Sequence, residues 1–164
     1  MKNAGTQAIE TDRLYLRRLT VDDAPAMYNN WASDPEVTRY LTWKPHADVE
    51  ETRGILAAWA GQYGKADFYM WGIVLRQTGE LIGNISVVDI QQARRCVELG
   101  YCEGRAFWGR GYMTEALRAV CAYLFTHTDV ERIAACHHVE NPASGRVMKK
   151  AGLLFEGIAR LAGI

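Results

Sequence analysis

The sequence predicts a mixed α+β fold: a central, mostly antiparallel twisted sheet with flanking helices. Three observations carry that reading. Short runs rich in β-branched and aromatic residues recur along the chain, among them "RLYLRRL", "FYMWGIVL", "LIGNISVV", "CVELGYC" and "RIAACHHV". Two of these runs flank the turn-forming "RQTGE", so they make a hairpin and are antiparallel. Helical patterns fall between the strands without strict alternation, which points away from a doubly wound parallel sheet.

The elements follow in order. Residues 1–8 are expected to form a flexible tail. Residues 14–19 alternate apolar and polar side chains, as a half-buried first strand does. Thr20 is placed to cap the helix that follows, with Asp22 and Asp23 favourable in its first turn. Pro35 breaks that helix, because it disfavours helical geometry in the residue before it. Helical character resumes over residues 49–63, behind Asp48, Glu50 and Glu51. The hairpin strands cover residues 68–75 and 81–88, "QQARR" makes a polar connection, and a fourth strand runs from 96 to about 102. Gly100 inside that strand marks a bulge or a close approach of another backbone. The clearest helix follows "FWGRGY": Met113, Ala116, Leu117, Val120, Cys121, Leu124 and Phe125 make one apolar stripe at helical spacing. "RIAACHHV" is a fifth strand, "NPASGRVMKKAG" a short helix ending at Gly152, and "LLFEGIAR" begins a last strand. No repeat or linker interrupts residues 1–164, which read as one domain.

Composition sets the bounds. The 164 residues are 49% hydrophobic and 23% charged, an ordinary globular mix able to bury a core. Lys plus Arg and Asp plus Glu number 19 each, so the net field favours neither nucleic acid nor a membrane surface. No apolar run approaches the roughly 18 residues of a spanning helix, and "MKNAGTQAIETDR" lacks the apolar core of a signal peptide. The 4 cysteines show no C-x-x-C pair and read as reduced thiols of a cytoplasmic protein. Neither they nor His46, His127, His137 and His138 have metal-ligand spacing, so no metal is expected.

The Gly109-x-Gly111 turn admits two readings. It either turns a corner or leaves the backbone bare for a ligand. A strand, a bare turn and a helix make an anion site by simple physics: the first N–H groups of a helix lack intrahelical partners, and its dipole adds partial positive charge. Arg105 and Arg110 flank the turn, and no acidic side chain lies between Gly104 and Thr114. A P-loop is excluded because its G-x-x-x-x-G-K-[ST] is absent. A dinucleotide fingerprint would need glycine where Thr114 stands.

The order of these elements, with "ETDRLYLRRLTVDDA", "LIGNISV", "VELGYC", "FWGRGYMTEAL" and "VENPASGRVMKKAGLLFEG", resembles the GNAT family of acetyl-CoA-dependent N-acetyltransferases, and within it the ribosomal-protein alanine N-acetyltransferase branch. The resemblance spans roughly residues 9–160. It implies a sheet splayed between the fourth and fifth strands, at residues 96–103 and 132–138, with the pantetheine arm of acetyl-CoA in the splay. By the same resemblance the backbone of Tyr101, Cys102 and Glu103 pairs with that arm, and Gly100 bulges to part the strands. Trp108, Gly109, Arg110, Gly111, Tyr112, Met113 and Thr114 form the pyrophosphate loop, and Asn141 bonds the pantetheine.

The implied reaction is acetyl transfer to a primary amine, with a protein N-terminal amine as the leading acceptor and a small-molecule amine as its rival. A non-catalytic acyl-CoA-binding module is the reading from another class. Glu98 is the first expected general base, or else a strand-surface carboxylate. His138, expected on a strand face with Cys136, is the second, and Ser144 is a donor to the sulfur or a backbone cap. Glu115, in a first helical turn, reads as dipole compensation. The family's tyrosine acid, seven residues after the asparagine, is replaced by Met148, which donates no proton. The sequence stops with "EGIARLAGI", where relatives add a strand, so either the chain is short or its sequence is cut. A short chain implies an incomplete acceptor wall or an edge completed by a second copy, as a homodimer. Trp31, Tyr40, Trp43, Trp59 and Tyr63 either line an amine pocket or pack a core.

Overall fold

The structure is a computed structural model and describes residues 1–160. Its strands lie in sequence order across one sheet: β1 Ile9–Glu10, β2 Leu14–Arg17, β3 Met70–Leu75, β4 Leu81–Gln91, β5 Cys96–Glu103 and β6 Arg132–Ala135. Neighbours are antiparallel except β5 and β6, which run parallel. The helices are α1 Ala24–Met27, α2 Pro35–Thr38, α3 Val49–Ala60, α4 Tyr112–His127 and α5 Pro142–Ala151.

The sheet has a core on each face. Leu14, Leu16, Trp71, Ile73, Val97 and Leu99 pack against Leu117, Val120 and Leu124 of α4. Leu19, Met70, Val74 and Leu81 pack with Met27, Trp31 and Leu56 of the N-terminal helical layer. Every residue of β3 is buried, because helices cover both faces of that strand. Trp31 and Tyr63 of the expected aromatic cluster are core residues here.

Strand pairing explains how the sheet opens. β5 and β6 pair from Cys96 with Arg132 to Leu99 with Ala135, and there the pairing stops. β5 runs on to Glu103 bonded to β4 on its other side, so its edge from Gly100 onward is parted from the chain after β6. The splay therefore falls between the strands expected. The bulge does not fall where expected: the extra residue is Val88 on β4, between Val87 and Asp89. Gly100 makes room for it, since a Cβ there would lie 2.8 Å from Val88 Cγ1.

The break at Pro35 stands: Asp34 before it is extended, at φ −86° and ψ 113°. Pro35 then opens α2, capped by Asp34, whose carboxylate accepts from Glu36 N–H at 2.9 Å. The proline lacks an N–H that the first helical turn would leave unbonded anyway. Other expectations are corrected. Residues 136–138 are not strand, and residues 153–160 form no last strand, leaving Leu154, Phe155 and Ile158 exposed. Residues 161–164 of that expected strand lie outside the described residues. The N-terminal segment is no free tail. Thr6 is fully buried, accepting from Met70 N–H and donating to Phe68 O, each at 3.0 Å. Tyr123 Oη donates to Gly5 O at 2.8 Å and Trp71 Nε1 to Gln7 O at 2.6 Å. Buried Tyr and Trp need acceptors for their polar ends, and this segment supplies them.

Candidate active site

The chain after β5 is built to expose backbone. Buried Phe107 anchors a single helical turn, and Trp108 Nε1 donates to Glu103 O at 2.8 Å, folding the exposed indole against the strand end. Gly109 and Gly111 then take φ values of 76° and 80°, left-handed geometry that costs an L-residue roughly 1–2 kcal/mol. Gly111 is the N-cap of α4 and offers no side-chain cap. Among the described residues the N–H groups from Gly109 to Thr114 meet no acceptor. An added Cβ at Gly109 would meet nothing within 4 Å. A helix N-terminus with bare, unbonded N–H groups favours an anion. Met113 and Thr114 bury their side chains, so only their backbones face the turn.

Charge around the turn is divided. Arg105 faces away, paired with Asp34 at 3.1 Å. Arg13 braces the turn instead: it donates to Arg110 O at 2.9 Å and to Glu115 at 2.6 Å, and lies over the Tyr112 ring. Glu115 also accepts from Thr11 Oγ1 at 2.7 Å and Arg13 N–H at 3.0 Å. Burial pushes its carboxyl up, but these bonds outweigh it and hold the group below its usual range. Its place is structural, as the first-turn position suggests. An open pocket of about 670 Å³ beside Gly111 is lined by Arg13, Thr114, Arg118 and Lys150 among others.

The parted end of β5 carries three polar side chains in apolar surroundings. Cys102 Sγ donates to Asn84 Oδ1 at 2.9 Å, and burial pushes its thiol up to about 12, so it stays neutral. Burial likewise pushes Glu103 up to about 8 against the pull of Arg110, and its Oε1 has no partner among the described residues. Tyr101 Oη lies 2.9 Å from Ser144 Oγ and 3.2 Å from Ser144 O. The family resemblance implies a role only for the backbone of Tyr101, Cys102 and Glu103. Polar side chains beside a strand glycine were the signal available for the rest.

Across the parting, Asn141 caps α5 by accepting from Ser144 N–H at 3.3 Å, leaving its amide NH₂ available. Glu98 sits half-buried on β5, opposite Ala134 of β6. Cys136 lies beside it: burial first, then the Glu98 carboxylate, raise that thiol. His138 is separate from this pair. Its exposed ring stacks on Tyr40 at 5.2 Å and accepts from Glu140 N–H at 3.2 Å. His137 is exposed too, packed against Gly145 of α5. Tyr40 is thus the aromatic of the N-terminal layer that reaches the far side of the parting.

The chain matches the acetyltransferase (GNAT) domain family over residues 13–154. It belongs to the GNAT family. An uncharacterized N-acetyltransferase YoaA of Bacillus subtilis is 35% identical over 152 residues, covering 93% of this chain and 85% of that one. The [ribosomal protein uS5]-alanine N-acetyltransferase of Escherichia coli is 27% identical, with 93% and 80% covered. Among solved structures, RimL, a ribosomal L7/L12 alpha-N-protein acetyltransferase in complex with coenzyme A, superposes with a TM-score of 0.85 at 23% identity, covering 96% of this chain and 90% of that one. At that identity the likeness concerns the GNAT fold. Among the described residues no helix is long and apolar enough to cross a membrane, and no group of His, Cys, Asp and Glu could hold a metal ion.

Proposed function

We propose that this GNAT protein transfers the acetyl group of acetyl-CoA to a primary amine, with a protein N-terminal α-amine as acceptor. The carrying observation is the run of unbonded N–H groups from Gly109 to Thr114, set at the mouth of a parted pair of strands. Those donors suit a pyrophosphate, and the free edge of β5 at Tyr101, Cys102 and Glu103 suits an extended chain bearing amides. The Asn141 amide NH₂ is a further donor toward that chain. The name of the E. coli relative, a ribosomal-protein alanine N-acetyltransferase, supports a protein amine as acceptor.

The reaction joins the amine nitrogen to the acetyl carbon, breaks the carbon–sulfur bond and releases one proton overall. Glu98 acts as the base that neutralises the ammonium, directly or through a water. Ser144 donates to the departing sulfur, a role Met148 cannot take. The Tyr40–His138 stack forms the acceptor's side of the entrance. A positioned base contributes about 10²–10⁴-fold. Holding amine and thioester together supplies much of the rest.

The test is thiol release from acetyl-CoA with peptides of varied N-terminal residue and with small amines. Release that depends on a peptide α-amine, and a kcat lowered by about 10²–10⁴-fold in Glu98→Gln, is the expected result. Acetyl-CoA binding without amine-dependent release would reduce the protein to a binding module and overturn the reading.

A further inference from the structure

We propose that Asp89 receives the acceptor as its ammonium: a bulge in β4 turns Asp89 to the face of Glu98, and the two carboxylates together seat the cationic amine at the acetyl end of the cofactor. This rests on the acetyl-transfer reading above and deepens it by naming how the amine is recognised.

Strand register places the pair. Asp89 of β4 stands directly opposite Glu98 of β5, just past the extra residue Val88. Opposed residues put their side chains on one face, with Cβ atoms about 4.5–5.5 Å apart. The flanking pairs, Val87 with Leu99 and Ile90 with Val97, pack into the core under α4. Asp89 and Glu98 therefore lie on the other face. Cys102, further along β5 on that face, packs into the core of the N-terminal layer. Around Asp89 the layer leaves the face open, since Asp89 and Val88 are both exposed. The bulge decides this. Without Val88, Asp89 would stand opposite Val97 and turn into the α4 core, because one residue of slip moves a side chain to the opposite face.

The pair lacks a counter-charge. Like charges set directly opposite each other repel and weaken the strand pairing. Among the described residues neither Asp89 nor Glu98 has an ion pair. The nearby cations are committed elsewhere, Arg95 to Glu131 at 2.7 Å and Arg132 to Glu156. Asp89 Oδ2 accepts from Gln91 Nε2 at 3.2 Å, which leaves the carboxylate with further lone pairs to offer. A cofactor arm paired with β5 from Glu103 back to Gly100 leads its acetyl end toward Glu98, about 6–7 Å further along the strand. An ammonium has three hydrogens to give. With one on each carboxylate, its nitrogen is held beside the thioester while Glu98 takes the proton and Asp89 keeps the nitrogen in place.

Asp89→Asn and Asp89→Glu test this against wild type in steady-state kinetics, thermal melts and calorimetric titrations. The titrations use CoA-loaded protein with an acceptor peptide and with the same peptide carrying a hydroxyl in place of its N-terminal amine. Asp89→Asn should raise the KM and the Kd of the amine peptide about tenfold, the low end for a hydrogen bond to a charged group. The hydroxyl peptide should bind as it does to wild type, and the KM for acetyl-CoA should not move. Relief of the like-charge repulsion should raise Tm by about 1–3 °C, so affinity falls as stability rises. Asp89→Glu should keep most of the affinity. If Asp89 is only an exposed strand residue, Tm rises while the amine peptide binds unchanged, which overturns the proposal. Equal losses for the amine and hydroxyl peptides, or a fall in kcat with KM unmoved, also overturn it. A wild type with no amine-dependent thiol release fails differently: it removes the acetyl-transfer reading, and this seat with it.

Discussion

Gly109 sits at φ 76° with open space around its would-be Cβ, and Gly79, in the β3–β4 turn, sits at φ 74° with equally open space. Alanine at either position carries the same left-handed backbone cost of roughly 1–2 kcal/mol. For a chain of this size that lowers Tm by roughly 2–8 °C. The two variants differ in what the methyl group faces. At Gly79 it faces solvent on the hairpin turn. At Gly109 it stands among unbonded N–H groups where a phosphate is to approach. A hydrogen bond to a charged group is worth about 1.5–3 kcal/mol, so its loss weakens binding by roughly 10–150-fold. Thermal melts and calorimetric titrations with acetyl-CoA on wild type, Gly79→Ala and Gly109→Ala read both effects. The expected result is a shared Tm loss and a loss of affinity confined to Gly109→Ala. Equal acetyl-CoA affinity in the two variants would refute the placement of the site.

Two further outcomes follow from buried polar groups. Folding raises Glu103 from 4.5 to about 8, so the native chain holds a proton that the unfolded chain has released in that window. The stability this gives is complete below pH 4.5 and is lost as pH rises through 8. Urea midpoints at pH 5 and pH 8 should therefore differ less in Glu103→Gln than in wild type, and an identical pH slope in both would sink the assignment. Thr6→Val leaves the Met70 N–H and the Phe68 carbonyl without their partner. Its expected cost is about 1–3 kcal/mol, seen as a lower Tm, whereas a tail detached from the fold would give no change.

By itself the sequence determined what depends on neighbours along the chain. The apolar stripe of α4, the hairpin around "RQTGE" and the glycine turn follow from side-chain periodicity and from backbone that only glycine tolerates, and all stand in the fold. The last strand expected over residues 153–160 does not form, for a related reason. Its apolar residues have strand propensity, but a strand also needs an edge to bond to, and within the described residues none pairs with them. Only the tertiary structure decided which polar groups meet. The Tyr101–Ser144 bridge links residues 43 apart, Tyr40 and His138 stack from opposite layers, Arg13 braces a turn 97 residues away, and Thr6 completes the bonding of β3 across 64 residues. Such pairings depend on how far two strands part and on which buried donors are left seeking acceptors. Both are properties of the packed sheet, and no local pattern encodes them.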